Sequence, residues 1–485
     1  MVFWLTKTIS TSLILVLTAT AFMSTNTNAQ GSLFAAAVNY GAGDGPAFVI
    51  SADLDNDNDI DLATANINSD NVSVLMNNGN GTFAAPVNYP VGDRPFNVFS
   101  ADLDGDNDLD LMAPNSISQN VSVLLNNGNG TFASAVNYLA GTTPAAVFAA
   151  RIDNDNFLDL AVTNLGTNDV SVLINNGDGT FAAAVDYAVG DGPNSIFSTD
   201  FNNDGSKDLA TTNFNSDDIS VLLNNGTGTF MAAVNYGMGD GPNAIFPADY
   251  DMDNDIDLAV TNFLAAATSI LFNNGNGTFA AAVNYPVGIG PDGIFSADYD
   301  NDGDKDLAAA NDATNNVSIL FNNGVGVFGT ADNYGTASRP FDVSSADYDN
   351  DGDIDLATAN FASDNVSVLM NLKNDDDDGD GVLNALDNCP LLANPLQENT
   401  DGIGAGDACC CVGIRGNANL DGTVNPNILD LNYLVNYIFR GGPLPGCPRE
   451  GNANSSTEIP EKANILDLNF LVNFIFRGGP LPGVC

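Results

Sequence analysis

The chain has 485 residues, 44% apolar, 8% aromatic and 15% charged, apolar enough to bury a core in two or three domains and too apolar for a disordered polyelectrolyte. Its 61 Asp and Glu against 12 Lys and Arg exclude nucleic acid and anionic membrane surfaces as partners, since both demand clustered cations. It has no histidine, which removes Ser-His-Asp and Cys-His nucleophile systems and histidine-ligated zinc.

Residues 1–29 read as a secretory signal peptide. A short polar start with Lys7 leads into an apolar run from Ile9 to Phe22, and Thr27-Asn28-Ala29 closes it as a small-x-Ala cleavage site. The run is shorter than the roughly 20 apolar residues that span a bilayer, so the mature chain is expected outside the cell, secreted or at its surface, without membrane insertion. All six cysteines, from Cys389 to Cys485, lie near the C-terminus, where an exported chain can form disulfides of undetermined connectivity.

From residue 30 to residue 372 one unit recurs. Its most distinctive piece is Asp53-Leu54-Asp55-Asn56-Asp57-Asn58-Asp59-Ile60-Asp61, and equivalent stretches begin at 102, 151, 200, 249, 298 and 347, every 49 residues. The odd positions of these seven loops hold 31 of the 61 acidic residues, so the negative charge is placed rather than spread. In the first copy the other pieces are Phe34–Tyr40, Pro46–Ala52, Leu62–Asn66 and Val72–Met76. All are short runs with β-branched or aromatic content, too short for helices. Asn77-Asn78-Gly79-Asn80-Gly81 supplies hairpin chemistry, because Asn and Gly accept positive φ. Four antiparallel strands per unit and seven units predict an all-β, seven-bladed β-propeller, with an open solenoid of the same units as the alternative. The Phe34 strand precedes the first full unit and has no counterpart after Met370, so it is expected to complete the last blade and close the ring, which leaves no open edge.

Alternate residues of an extended loop point the same way, so positions 1, 3, 5 and 9 can converge, with a backbone carbonyl from position 7. Converging carboxylates repel unless a cation lies among them, and an oxygen-only, flexible, multiply charged set favours Ca²⁺ over Mg²⁺ or zinc. Position 6 is Asn or Gly in every copy, from Asn58 to Gly352, which predicts a left-handed bend there. No Glu follows at position 12 and no helix pattern follows the loop, so it is not an EF-hand. The units resemble FG-GAP and VCBS-type repeats of integrin-α-like propellers, in which a D-x-D-x-D-G-x-x-D loop between strands cradles calcium. The resemblance implies as ligands Asp53, Asp55, Asp57 and Asp61; Asp102, Asp104, Asp106 and Asp110; Asp249, Asp251, Asp253 and Asp257; Asp298, Asp300, Asp302 and Asp306; and Asp347, Asp349, Asp351 and Asp355. The fourth copy offers Asp200, Asn202, Asp204 and Asp208, one charge poorer, and in the third Arg151 replaces the first Asp, so that either its guanidinium substitutes for the ion or the site is empty.

The period breaks after Met370. Residues 373–411 open with an acidic stretch in which Asp376, Asp378, Asp380, Asn384 and Asp387 match a loop of a thrombospondin type 3 repeat, implying a calcium-binding, disulfide-containing spacer. Residues 412–485 hold two related copies of a half-loop feeding a helical pattern, the first with Asn417, Asn419 and Asp421 ahead of Ile428, Leu431, Leu434, Val435 and Ile438. That pair resembles a type I dockerin and implies a cohesin-like partner, although Asn454-Ser455-Ser456-Thr457 replaces the second loop's acids and a purely structural helix pair is the alternative reading.

Nothing in the repeat region supplies a nucleophile system, and its carboxylates are nearly all assigned to the loops, so no catalysis is expected. The leading expectation is an extracellular, calcium-dependent binder of a protein or glycan ligand. The alternative is a carbohydrate-active protein, a lectin or a component of a polysaccharide lyase or hydrolase, attached through the dockerin-like module. Arg94 and Arg339, in the variable loops ahead of the second strand, are the non-repeated side chains to examine.

Overall fold

The computed structural model describes residues 33–153 and 155–373. The signal peptide, the spacer, the cysteines and the dockerin-like pair therefore lie outside the described residues. Within them are strands and connecting turns, with no α-helix. The first five strands set the pattern: β1 (Val38–Gly41), β2 (Pro46–Ala52), β3 (Asp61–Asn66), β4 (Asn71–Leu75) and β5 (Val87–Pro90). β2 to β5 form one antiparallel sheet in sequence order, and six further sheets of four strands repeat it. These are the blades of a seven-bladed propeller.

Burial runs outward along each sheet. β3 is buried at every residue and β5 is exposed or half-buried throughout, as expected of a middle strand between neighbouring blades and an outermost strand at the rim. Alternation along β3 and β4 serves both neighbours. Ala63, Ala65, Val72 and Val74 pack with Leu111, Ala113 and Leu124 of the second blade. Leu62 and Leu75 face the other way, onto Ala357, Ala359, Val366 and Val368 of the seventh. A fully buried Leu contributes about 1.5–3 kcal/mol. The sheets carry no helices over their faces, so each blade is the cover for the next.

The expected ring closure is present. β1 pairs antiparallel with Asn365–Leu369, with Val38 opposite Val368 and Tyr40 opposite Val366, and it completes the sheet of Pro340–Ala346, Asp355–Asn360 and Asn365–Leu369. The strand is shorter than its sequence pattern: it starts at Val38, and Phe34 is held separately by a single bridge to Asn371. Phe34 is nevertheless buried, its ring 5.0 Å from that of Tyr334 and edge-on to it.

The Asn-Gly turns close as predicted. Asn78 N donates to Thr82 O at 2.8 Å, and Gly79 and Gly81 have φ of 76° and 69°. Gly81 is also required sterically, because a Cβ there would collide with the Met370 methyl group.

Candidate metal centres

Each acidic loop leaves the inner strand of its blade and turns into the next, as Asp53–Asp61 does between β2 and β3. The first carboxylate organises the bend. Asp53 accepts Asp57 N at 3.2 Å and Asn58 N at 3.0 Å, and Asp200, Asp249, Asp298 and Asp347 do the same in their loops. Asp57 then accepts Asp59 N at 2.9 Å. The left-handed bend at position 6 is seen at Asn58, Asn107, Gly205, Asn254, Gly303 and Gly352. A second left-handed residue, at position 4, was not anticipated: Asn56, Gly105, Asn203, Met252, Asn301 and Asn350 all have positive φ. Asn and Gly at both places were the available signal, hidden at position 4 by Met252, whose side chain pays the usual strain.

Carboxylates converge in five blades. The trios are Asp53, Asp55 and Asp57; Asp102, Asp104 and Asp110; Asp249, Asp251 and Asp257; Asp298, Asp300 and Asp302; and Asp347, Asp349 and Asp351, each offering oxygens within 4.8 Å of one another. In the second and fifth blades the trio contains position 9 and leaves out Asp106 and Asp253. In the other three it contains position 5 and leaves out Asp61, Asp306 and Asp355. Burial, followed by the charge of the neighbouring position 5, raises the carboxyl pKa of Asp55, Asp104, Asp251 and Asp349.

Position 3 tests whether a cation fits. Oδ1 of Asp55, Asp251 and Asp349 is buried and has no hydrogen-bond partner, as does Oδ2 of Asp351. A buried carboxylate oxygen without a partner costs about 1–3 kcal/mol or more. Such an atom set among the other carboxylate oxygens of its trio matches the all-oxygen donor set of a hard divalent cation.

Position 9 has a further role that sequence reasoning did not separate. Asp61 is buried, and its two oxygens accept Asn77 N at 2.8 Å and Leu54 N at 3.0 Å, tying the loop to the end of β4. The same pair of bonds recurs at Asp110, Asp159, Asp208, Asp257, Asp306 and Asp355. Burial pushes these carboxyls up, to about 7 at Asp61, Asp110, Asp257 and Asp306, about 6 at Asp159 and Asp208, and about 8 at Asp355.

The two divergent loops behave differently. In the fourth blade Asn202 Nδ2 donates to Asp204 Oδ2 at 3.0 Å, so an internal hydrogen bond stands where two carboxylates would otherwise repel. In the third blade the Arg151 side chain is exposed to solvent; Asp159 remains buried and bonded although the first Asp is gone. The tail residues Asp376, Asp378, Asp380, Asn384, Asp387, Asn417, Asn419 and Asp421 lie outside the described residues.

At the other end of the inner strands the copies disagree. A cavity of about 40 Å³ is lined by the two residues after each inner-strand proline, among them Asn97, Asn194, Asn243, Asp292, Phe341 and Asp342. Asn194 Nδ2 donates to Asn243 Oδ1 at 2.6 Å, Asn243 donates to Asp292, and Asp342 Oδ2 accepts Val49 N at 3.1 Å. Burial drives the Asp292 carboxyl well up, helped by Asp312 and Asp342, and pushes Asp342 up to about 8. Beside the cavity Arg339 holds Asp312 through Nε–Oδ1 at 2.7 Å and Nη2–Oδ2 at 3.0 Å. Its guanidinium lies 5.0 Å from the Phe341 ring and 5.2 Å from that of Phe361, and the two rings are stacked. Arg94 and Arg339 occupy a left-handed position that is Gly45, Gly192, Gly241 and Gly290 in four other copies. Arg94 Nε is buried without a partner.

The FG-GAP-like repeat family matches residues 53–113, 152–211, 200–260 and 298–358, so the chain carries FG-GAP-like repeats on a seven-bladed propeller. No curated protein matches it. Among solved structures it is similar to BBS1N in complex with ARL6DN, at 11% identity over 70% of this chain and 97% of that one, with a TM-score of 0.51. It is also similar to an Agrocybe aegerita lectin that recognises non-reducing terminal N-acetylglucosamine, at 21% identity over 63% and 92%, TM-score 0.47. A third is the periplasmic gluconolactonase of Pseudomonas aeruginosa, at 16% identity over 60% and 86%, TM-score 0.47. At such identities the likeness bears on the fold alone.

Proposed function

We propose that this chain is an exported, calcium-clamped propeller that binds an extracellular protein or glycan and does not catalyse a reaction. The observation that carries the metal reading is the set of buried, unpartnered oxygens on Asp55, Asp251 and Asp349, each inside a carboxylate trio. The five carboxylate trios, Asp53, Asp55 and Asp57 in the first blade and the corresponding sets in blades two, five, six and seven, with position 9 in place of position 5 in blades two and five, would hold the ions. Calcium would supply positive charge where burial and repulsion otherwise favour protonation. The protein's own contribution is to hold the loop bend through positions 1 and 9, so that the carboxylates converge before an ion arrives. Because the loops repeat from blade to blade, the ions are structural, and the ligand belongs at the opposite end, where Arg94, Arg339, Asp292 and Asp342 break the repeat. The cavity around Asp292 and Asp342 has room for a few water molecules. Export rests on residues 1–29, and a cohesin-like partner on residues 412–485.

Thermal unfolding in calcium and in excess chelator tests the metal reading: an ion that binds only the folded chain at a hundredfold excess over its Kd contributes about 2.7 kcal/mol. Identical melting curves would end it. A panel of glycans and extracellular proteins, run against wild type, Arg94→Ala and Arg339→Ala, tests the ligand face. Binding unaffected by either substitution would move the ligand elsewhere.

A further inference from the structure

Neighbouring acidic loops are bonded to one another, and unequally around the ring. Asn56 Nδ2, at position 4 of the first loop, donates to Asp108 Oδ1, at position 7 of the second, at 2.7 Å. Asn350 Nδ2 of the seventh loop donates to Asp59 Oδ1 of the first at 2.9 Å, across the seam where the ring closes. Asn203 and Asp255 make the same bridge between the fourth and fifth loops at 2.8 Å. Where position 4 is Gly105 or Met252 the side chain has no amide to give. Two successive bridges join the loops of blades seven, one and two.

We propose that blades seven, one and two take up calcium as one cooperative unit that locks the ring seam. This rests on the calcium reading of the loops. Position 4 lies between two expected ligands, at positions 3 and 5, so an ion in one loop fixes the backbone that carries the donor amide. Position 7 of the receiving loop is the residue expected to offer its backbone carbonyl, and its own amide is bonded to the position 5 carboxylate, as Asp108 N is to Asp106 at 2.9 Å. Ordering one loop thus anchors the ligand-bearing turn of the next. A second link acts in parallel. Asn126 Nδ2 donates to Leu54 O at 2.8 Å while Asn126 N donates to Asp110, and Asn77 connects Tyr348 O to Asp61 in the same way. That link is present between every pair of neighbouring blades, and in this arc the position 4 bridges add to it at two successive junctions. Two linked sites coupled at the low end of the usual range change each other's affinity about fivefold.

The test is hydrogen exchange of the amides in 53–61, 102–110 and 347–355, followed in the full chain as calcium is titrated. In wild type the three loops become protected together, at one steep midpoint. In Asn56→Ala/Asn350→Ala all three still become protected, but their midpoints separate and rise about fivefold, with the melting temperature in saturating calcium nearly unchanged. Superimposable wild-type and variant profiles refute the coupling and leave the calcium reading intact; no calcium-dependent protection in wild type refutes both. If the double variant does not fold, Met252→Asn serves instead: it adds a donor facing Asp304 and should merge the transitions of loops five and six. Unchanged transitions in that variant also refute the coupling.

Discussion

Position 9 combines two roles that the third blade separates. Asp159 accepts Ile152 N at 3.0 Å and Asn175 N at 2.8 Å, in a loop where Arg151 has removed the first carboxylate. Asp110 accepts Leu103 N at 2.9 Å and Asn126 N at 2.8 Å, and it also belongs to a carboxylate trio. Replacing either by Asn turns one accepting oxygen into an NH2 that faces a buried N–H. One lost bond of this kind costs about 1–3 kcal/mol, at roughly 2–4 °C of Tm per kcal/mol. Asp110→Asn in addition removes a ligand charge, and losing an ion held at a hundredfold excess over its Kd costs about 2.7 kcal/mol more. Melting of Asp159→Asn and Asp110→Asn should therefore show similar penalties in chelator. In calcium the Asp110 variant should fall a further step of about that size, while the Asp159 penalty stays the same. Equal calcium dependence of the two penalties, or none in either, would show that position 9 does not contribute to an ion site.

Other consequences concern the fold and the opposite end of the ring. Asp342 holds its proton more tightly folded, at about 8, than unfolded, near 3.8, so its contribution to stability is complete below the unfolded value and is lost as pH rises through about 8. Asp342→Asn, which keeps an acceptor for Val49 N, should flatten the fall in Tm between pH 6 and 9 in saturating calcium, and an unchanged slope would contradict the assignment. Asn224→Ala removes a bond to Ile152 O at 2.8 Å, across to the neighbouring blade, and one to Lys207 O at 3.0 Å within its own blade; the buried Ile152 carbonyl left unpaired should lower stability by about 1–3 kcal/mol, measured by urea unfolding. Gly293→Ala would place a Cβ against Asp342 Oδ1 and, at 2.6 Å, against its Cα, and should cost about 1–3 kcal/mol as overpacking. A loss below half a kcal/mol would mean that the cavity wall yields.

Much of the molecule is legible in one dimension. The strict 49-residue period, four short apolar runs per unit and a surplus strand at Phe34 determine the blade, the number of blades and the clasp, because each blade repeats one local pattern of strands and only the first and last copies differ in their strand complement. The loop at Asp53 is legible for the same reason: alternate carboxylates and an Asn or Gly at position 6 leave few ways to turn. Even the divergence of blades three and four shows at Arg151 and Asn202. What the tertiary structure decided is everything that passes between copies. That Asn77 reaches the Tyr348 carbonyl, that Asn350 bridges to Asp59, and that Asp292 and Asp342 share one cavity all join residues of different blades. A repeat specifies its own unit through short-range propensity and alternation, but which side chains meet across blades depends on how the sheets rotate and pack around the axis.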